Sequence, residues 1–179
     1  KEVEEILRDV ARLVEDNRRV LERILREVEK LIRDNEERLK EILERSKDLV
    51  RRIEELIRRG EVDEDTVREI IERSEELNRR LEKHARDSER RLEKLAEDLR
   101  RHAKRSLDEL KRLLDELEKR RSDVEEVRRA IEELLKDVER AYEEVVRRIE
   151  KLLDDLRRKY EEVKKENERL NRRVEEAAR

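Results

Sequence analysis

Ile6-Leu7-Arg8-Asp9-Val10-Ala11-Arg12-Leu13-Val14 is followed eighteen residues later by Ile24-Leu25-Arg26-Glu27-Val28-Glu29-Lys30-Leu31-Ile32. After another eighteen comes Ile42-Leu43-Glu44-Arg45-Ser46-Lys47-Asp48-Leu49-Val50. Four apolar columns run through the three passes: Ile6/Ile24/Ile42, Leu7/Leu25/Leu43, Leu13/Leu31/Leu49 and Val14/Ile32/Val50. At about 3.6 residues per turn, eighteen residues make five whole turns, so the apolar stripe returns to one angle without drifting. A strict seven-residue repeat would impose a left-handed supercoil; this period predicts nearly straight helices.

The stripe covers an arc of about 140° at 100° per residue, broad enough to face two neighbouring helices. The same repeat continues down the chain, in Leu77/Leu95/Leu113 and Leu81/Leu99/Leu117, then in Val127/Val145/Val163 and Leu134/Leu152/Leu170. Between the stripes the chain is charged, with 51 Lys+Arg against 54 Asp+Glu in 179 residues, a net charge of −3 and 59% charged residues. Disordered chains share that composition, but their few aliphatics are scattered, and these are ordered. Glu→Lys/Arg pairs at four-residue spacing (Glu4–Arg8, Glu15–Arg19, Glu22–Arg26, Glu36–Lys40, Glu41–Arg45) support helix by only a few tenths of a kcal/mol each. A lone charged helix has no use for a broad apolar stripe.

Two places break the pattern. At Arg58-Arg59-Gly60-Glu61-Val62-Asp63, the sole glycine suits the left-handed position after a helix C-terminus. Asp63 follows as N-cap, and Val62 and Val67 stand at hydrophobic-staple spacing. At Arg120-Arg121-Ser122-Asp123-Val124-Glu125, Ser122 and Glu125 make a capping box and Asp123 favours the helix start. The expected fold is all-α: an antiparallel up-down-up three-helix bundle with helices at about 1–59, 63–120 and 123–178, one domain over residues 1–179.

The informative residues interrupt the stripe. Asn17 and Asn35, His84 and His102, Ser88 and Ser106, and Tyr142 and Tyr160 each recur eighteen residues apart on the inward face. With short turns and a uniform rise, residues of the first hairpin are level when their numbers sum to about 122, and of the second when they sum to about 243. That groups Asn17, His102, Ser106 and Tyr142 in one layer and Asn35, His84, Ser88 and Tyr160 in another. A third set joins Ser46, Ser74, Asn78, Asn167 and Asn171. Each layer reads as a cross-sectional hydrogen-bond network, because an unpaired buried polar group costs about 1–3 kcal/mol and these must satisfy one another. Apolar layers alone would tolerate a five-turn slip; polar layers penalise it.

A straight eighteen-residue repeat, capped ends, Glu/Lys/Arg surfaces and regularly placed core Asn, Ser, His and Tyr resemble de novo designed parametric helical bundles with buried hydrogen-bond networks. The resemblance spans the whole chain and implies a stable, soluble scaffold without natural substrate, cofactor or biological partner.

Composition excludes much else. There is no Cys, Pro, Met, Trp or Phe, hence no disulfide framework, thiolate nucleophile or cysteine zinc site. One Gly cannot build a phosphate-cradling loop. Balanced charge argues against a nucleic-acid partner, and no apolar run approaches a membrane span or a signal peptide; expression in the cytoplasm is expected for a recombinant chain. His84 and His102 would lie about 27 Å apart on one helix, too far to share a metal or a proton. Neither has an orienting acid, so no catalytic, metal or cofactor role is expected. If both imidazoles fold neutral, acid should destabilise the bundle. The Arg pairs (Arg18-Arg19, Arg51-Arg52, Arg90-Arg91, Arg147-Arg148) lie among Glu and Asp and read as solvated surface.

The sequence therefore reads as a monomeric structural scaffold, a rigid helical rod whose polar layers specify register and topology, and not an enzyme. The alternative is an interaction module that self-associates or pairs with partner helices; Ala11, Val20 and Ala141, at the stripe's margins, leave room for it.

Overall fold

The computed structural model describes residues 2–120 and 125–177. They form three helices, α1 (Val3–Arg59), α2 (Glu64–Arg120) and α3 (Glu125–Ala177), and no strand. Glu4 and Glu5 open α1, Glu64 and Asp65 open α2, and Glu125 and Glu126 open α3, where carboxylates meet the positive helix end. Arg58 and Arg59 close α1, and Lys119 and Arg120 close α2.

The first turn follows the expected chemistry. Gly60 sits at φ 66°, the left-handed position that L side chains avoid. Its N–H donates to the carbonyl of Ile57 at 3.1 Å, and the N–H of Glu61 donates to the carbonyl of Leu56 at 3.0 Å. This pair of bonds closes α1 as a Schellman motif. Asp63 then caps α2, its Oδ1 accepting from the Thr66 N–H at 2.7 Å. That bond holds the Asp63 carboxyl below its usual range. Val62 and Val67 line one shallow surface depression with Ile71. Of the expected Ser122–Glu125 capping box and helix start, Ser122 and Asp123 lie outside the described residues.

Contacts divide the chain into two units, residues 1–29 with 92–151 and residues 30–91 with 152–179, each built from a stretch of every helix. In the first unit, Ile6, Val10, Ile24 and Val28 of α1 are buried, as are Leu99, Leu110, Leu113 and Leu117 of α2 and Ile131, Val138 and Ile149 of α3. In the second, Leu39, Ile42, Val50 and Ile53 are buried with Ile70, Leu77 and Leu81 and with Leu156 and Leu170.

Within each unit the helix directions follow from who meets whom. In the second, Arg52 pairs with Glu69 and Asn35 with Ser88, so α1 and α2 run antiparallel. Arg157 meets Glu89, and Lys159 meets Glu36, making α3 antiparallel to α2 and parallel to α1. In the first, Ser106 meets Asn17, Glu150 meets Arg100 and Arg128 meets Glu118, giving the same up-down-up order.

Register is close to expectation in one hairpin and displaced in the other. The α1–α2 pairs Asn17–Ser106 and Asn35–Ser88 both have numbers that sum to 123. The α2–α3 pairs Glu118–Arg128, Glu89–Arg157, Ser88–Tyr160 and Arg100–Glu150 sum to 246, 246, 248 and 250. Helix side chains lean toward their own N-terminus, which favours larger sums for long residues on antiparallel helices. The α2–α3 pairs follow this, whereas Arg52–Glu69 of α1–α2, at 121, does not.

Candidate functional site

The polar residues of the stripe are the candidates, and the first unit holds one triad. Asn17 is 2% exposed at the centre of the α1 stripe. Its Oδ1 accepts two hydroxyl hydrogens, from Ser106 Oγ of α2 at 2.6 Å and from the Tyr142 hydroxyl of α3 at 2.7 Å. A carboxamide oxygen has two lone pairs, and both are used by different helices. His102 enters this layer by its ring alone, 6.1 Å from the Tyr142 ring at a tilt of 50°. Its Nε2 has no hydrogen-bond partner among the described residues, and neither has Asn17 Nδ2.

The second unit repeats the triad with one looser arm. Ser88 Oγ donates to Asn35 Oδ1 at 2.7 Å. The Tyr160 hydroxyl lies 3.3 Å from Asn35 Oδ1 and 3.4 Å from Ser88 Oγ, sharing its hydrogen between them. His84 meets the Tyr160 ring edge-on at 5.9 Å, and again its Nε2 and Asn35 Nδ2 lack partners among the described residues.

The third set is divided. Ser46, Ser74 and Asn167 are buried, whereas Asn78 and Asn171 are half-buried. Both bonded triads have an α1–α3 difference of 125, in Asn17–Tyr142 and Asn35–Tyr160. Two further α1–α3 pairs of the second unit, Lys159–Glu36 and Arg173–Glu54, differ by 123 and 119, and Ser46 and Asn167, 121 apart, fall between them. Neither amide atom of Asn167 has a partner among the described residues.

Burial, the largest influence, pushes both imidazoles below their ordinary pKa. Arg38 of α1 adds to this at His84, against Asp34 and Asp87; Arg105 and Arg23 add to it at His102, against Asp16. Burial raises Tyr142 and Tyr160, with the Ser106 and Ser88 hydroxyls pulling the other way. All four groups are thus neutral donors or acceptors near pH 7.

Chemically the layers offer little reactivity. The Ser88 and Ser106 hydroxyl hydrogens are committed to Asn carbonyls, so neither serine forms a nucleophile–base pair with the neighbouring imidazole. Among the described residues no three His, Asp or Glu side chains gather in a way that could hold a metal ion. No helix among them is long and apolar enough to cross a membrane. Sequence reading missed the ion pairs between helices, Glu89–Arg157 at 3.0 Å, Glu36–Lys159 at 3.3 Å and Arg173–Glu54. Their signal lies in the register, since only charges whose numbers fit the observed sums and differences can meet.

No protein-family model matches the chain, and no curated protein matches it. A solved chain described as a computationally designed three helix bundle is similar over 98% of this chain and 88% of its own length, with 20% identity and a TM-score of 0.40.

Proposed function

We propose that this chain is a designed structural scaffold in which triads of Asn, Ser and Tyr fix the register and direction of the helices within each unit. The supporting observation is that one Asn carbonyl per unit accepts hydroxyl hydrogens contributed by both other helices. Leu, Ile and Val in an eighteen-residue repeat pack almost as well after a five-turn slip, whereas a slipped triad would bury unpaired polar atoms. Catalysis has no place in this reading, because the hydroxyls serve the Asn residues.

The test is to remove both triads together, with Asn17→Leu, Ser106→Ala, Tyr142→Phe, Asn35→Leu, Ser88→Ala and Tyr160→Phe in one chain. The scaffold reading expects full helicity and thermal stability no lower than the parent, but a second set of amide resonances in NMR spectra. A single sharp set from the six-fold variant defeats it.

An interaction module is the second reading, favoured by Leu7, Ile57 and Val62, which stay 38%, 42% and 38% exposed. Light scattering over a concentration range separates the two: the scaffold stays at 22.1 kDa, and the module grows.

A further inference from the structure

Arg38 breaks the repeat in the seam between α1 and α2. Val20 and Leu56 stand eighteen residues to either side of it, apolar and half-buried, whereas Arg38 is exposed. Arg38 and His84 sum to 122, between Arg52–Glu69 at 121 and Asn35–Ser88 at 123, so the two residues stand at one level of the second unit. A fixed cation beside a group that takes a proton is unfavourable. After burial, the Arg38 charge is the next influence holding the His84 imidazole below its ordinary pKa.

Both residues line one groove of about 490 Å³ between α1 and α2. Its charged lining is Arg38, Arg45, Arg80 and Lys83 against Glu41 and Asp87, a surplus of two positive charges. Arg45 pairs with Glu41 at 2.6 Å, and Arg80 reaches Glu76 at 3.6 Å. Neither Arg38 nor Lys83 forms an ion pair among the described residues. Around His102 the repeat sets Val20, Glu27, Asp98 and Arg101 at the places of the four cations, and Arg23 and Arg105 at those of the carboxylates. The surplus there is one, and the residue level with the imidazole is Val20.

We propose that this groove binds a free phosphate-type oxyanion, held between the Arg38 guanidinium and the Lys83 ammonium beside the His84 layer. A guanidinium offers two parallel N–H donors to such an anion, and an ammonium adds a compact charge. Asp34 and Glu41 of α1 and Asp87 of α2 oppose the ligand, and Tyr160 of α3 is neutral. Arg38 and Lys83 are both exposed, so the site is weak and sensitive to salt. The inference goes beyond the scaffold reading and does not depend on it.

Sodium phosphate is titrated into the full chain, with chloride holding the ionic strength constant. The Arg38 Nε–H and His84 ring signals in NMR spectra are expected to shift and saturate. The midpoint of His84 protonation is expected to rise, because a bound anion favours the imidazolium. Arg38→Val, which takes the residue found at position 20, is expected to weaken phosphate about tenfold or more, the loss of a charge-assisted hydrogen bond. Shifts that never saturate, or the same phosphate response in the parent and Arg38→Val, overturn the proposal. An equal rise at His102 overturns it too, since that marks general attraction to a cationic surface. If Arg38→Val loses its helical circular dichroism, Lys83→Gln makes the same comparison. Failure here with the six-fold triad variant behaving as expected removes the anion site and leaves the scaffold reading standing.

Discussion

Tyr142 and Asn17 meet hydroxyl to carbonyl at 2.7 Å, while Tyr160 and Asn35, also 125 residues apart, meet at 3.3 Å. The two pairs have the same chemistry and nearly the same burial, so they form an internal comparison of hydrogen-bond geometry. The shorter contact donates to one acceptor; the longer one is divided between Asn35 Oδ1 and Ser88 Oγ. Tyr142→Phe should therefore cost about 1 kcal/mol, the net worth of a buried neutral hydrogen bond, and Tyr160→Phe about half of that or less. Urea midpoints of the two variants check the order. Equal losses, or a larger loss for Tyr160→Phe, contradict it.

Asn17 carries more than its own bond. Replacing it with Ala removes the acceptor from two buried hydroxyls, Ser106 and Tyr142, and leaves both unpaired. Each orphan costs about 1–3 kcal/mol, so Asn17→Ala should lose about 2–6 kcal/mol, more than Tyr142→Phe and Ser106→Ala together. The combination Asn17→Leu, Ser106→Ala, Tyr142→Phe should return that loss in full, because apolar groups then fill the layer. Chemical denaturation of the four variants closes the cycle; a triple variant no more stable than Asn17→Ala refutes the coupling.

The periodicity made the helices legible, and the lone Gly60 and the Asp63 cap made the first turn legible, because each feature is local and needs no partner. Asn17, Ser106 and Tyr142 could be grouped because helix rise is uniform and the turn is short. The α2–α3 sums run from 246 to 250 where 243 was expected, a displacement that the repeat itself does not carry. The position of the imidazoles was legible and went unread. His84 lies three residues past Leu81, and His102 three past Leu99, which is about 60° round the helix from two of the most buried side chains. They stand at the stripe's edge, touch a Tyr ring and fall short of the Asn–Ser–Tyr centre.

Among the described residues Gly60 is the one with positive φ, and nothing lies within 4 Å of where a Cβ would stand. Any penalty for Gly60→Ala is thus conformational and not steric. The left-handed conformation costs an L-residue about 1–2 kcal/mol, so Gly60→Ala should lower stability by about 1 kcal/mol with α1 and α2 otherwise intact. Gly60→Asn, which tolerates this conformation, should recover part of the loss. Thermal melts check both; an Ala variant as stable as the parent would show that the turn can re-form in another geometry.

His84 and His102 should make the stability of the chain depend on pH near neutrality. Around His84 stand Asp34 and Arg38 of α1, Asp87 of α2 and the Tyr160 ring of α3. Around His102 stand Asp16 and Arg23 of α1, Arg105 of α2 and the Tyr142 ring. Burial outweighs the carboxylates, and each folded imidazole takes a proton at lower pH than the same group in the unfolded chain. The unfolded state therefore binds more protons as pH falls through about 6.5, and stability drains away below it. Above that pH the contribution is constant. Melts at pH 7.5, 6.5 and 5.5 should show the parent losing stability between the last two while His84→Gln/His102→Gln loses less. Parallel losses in the parent and the double variant would place the acid sensitivity elsewhere in the fold.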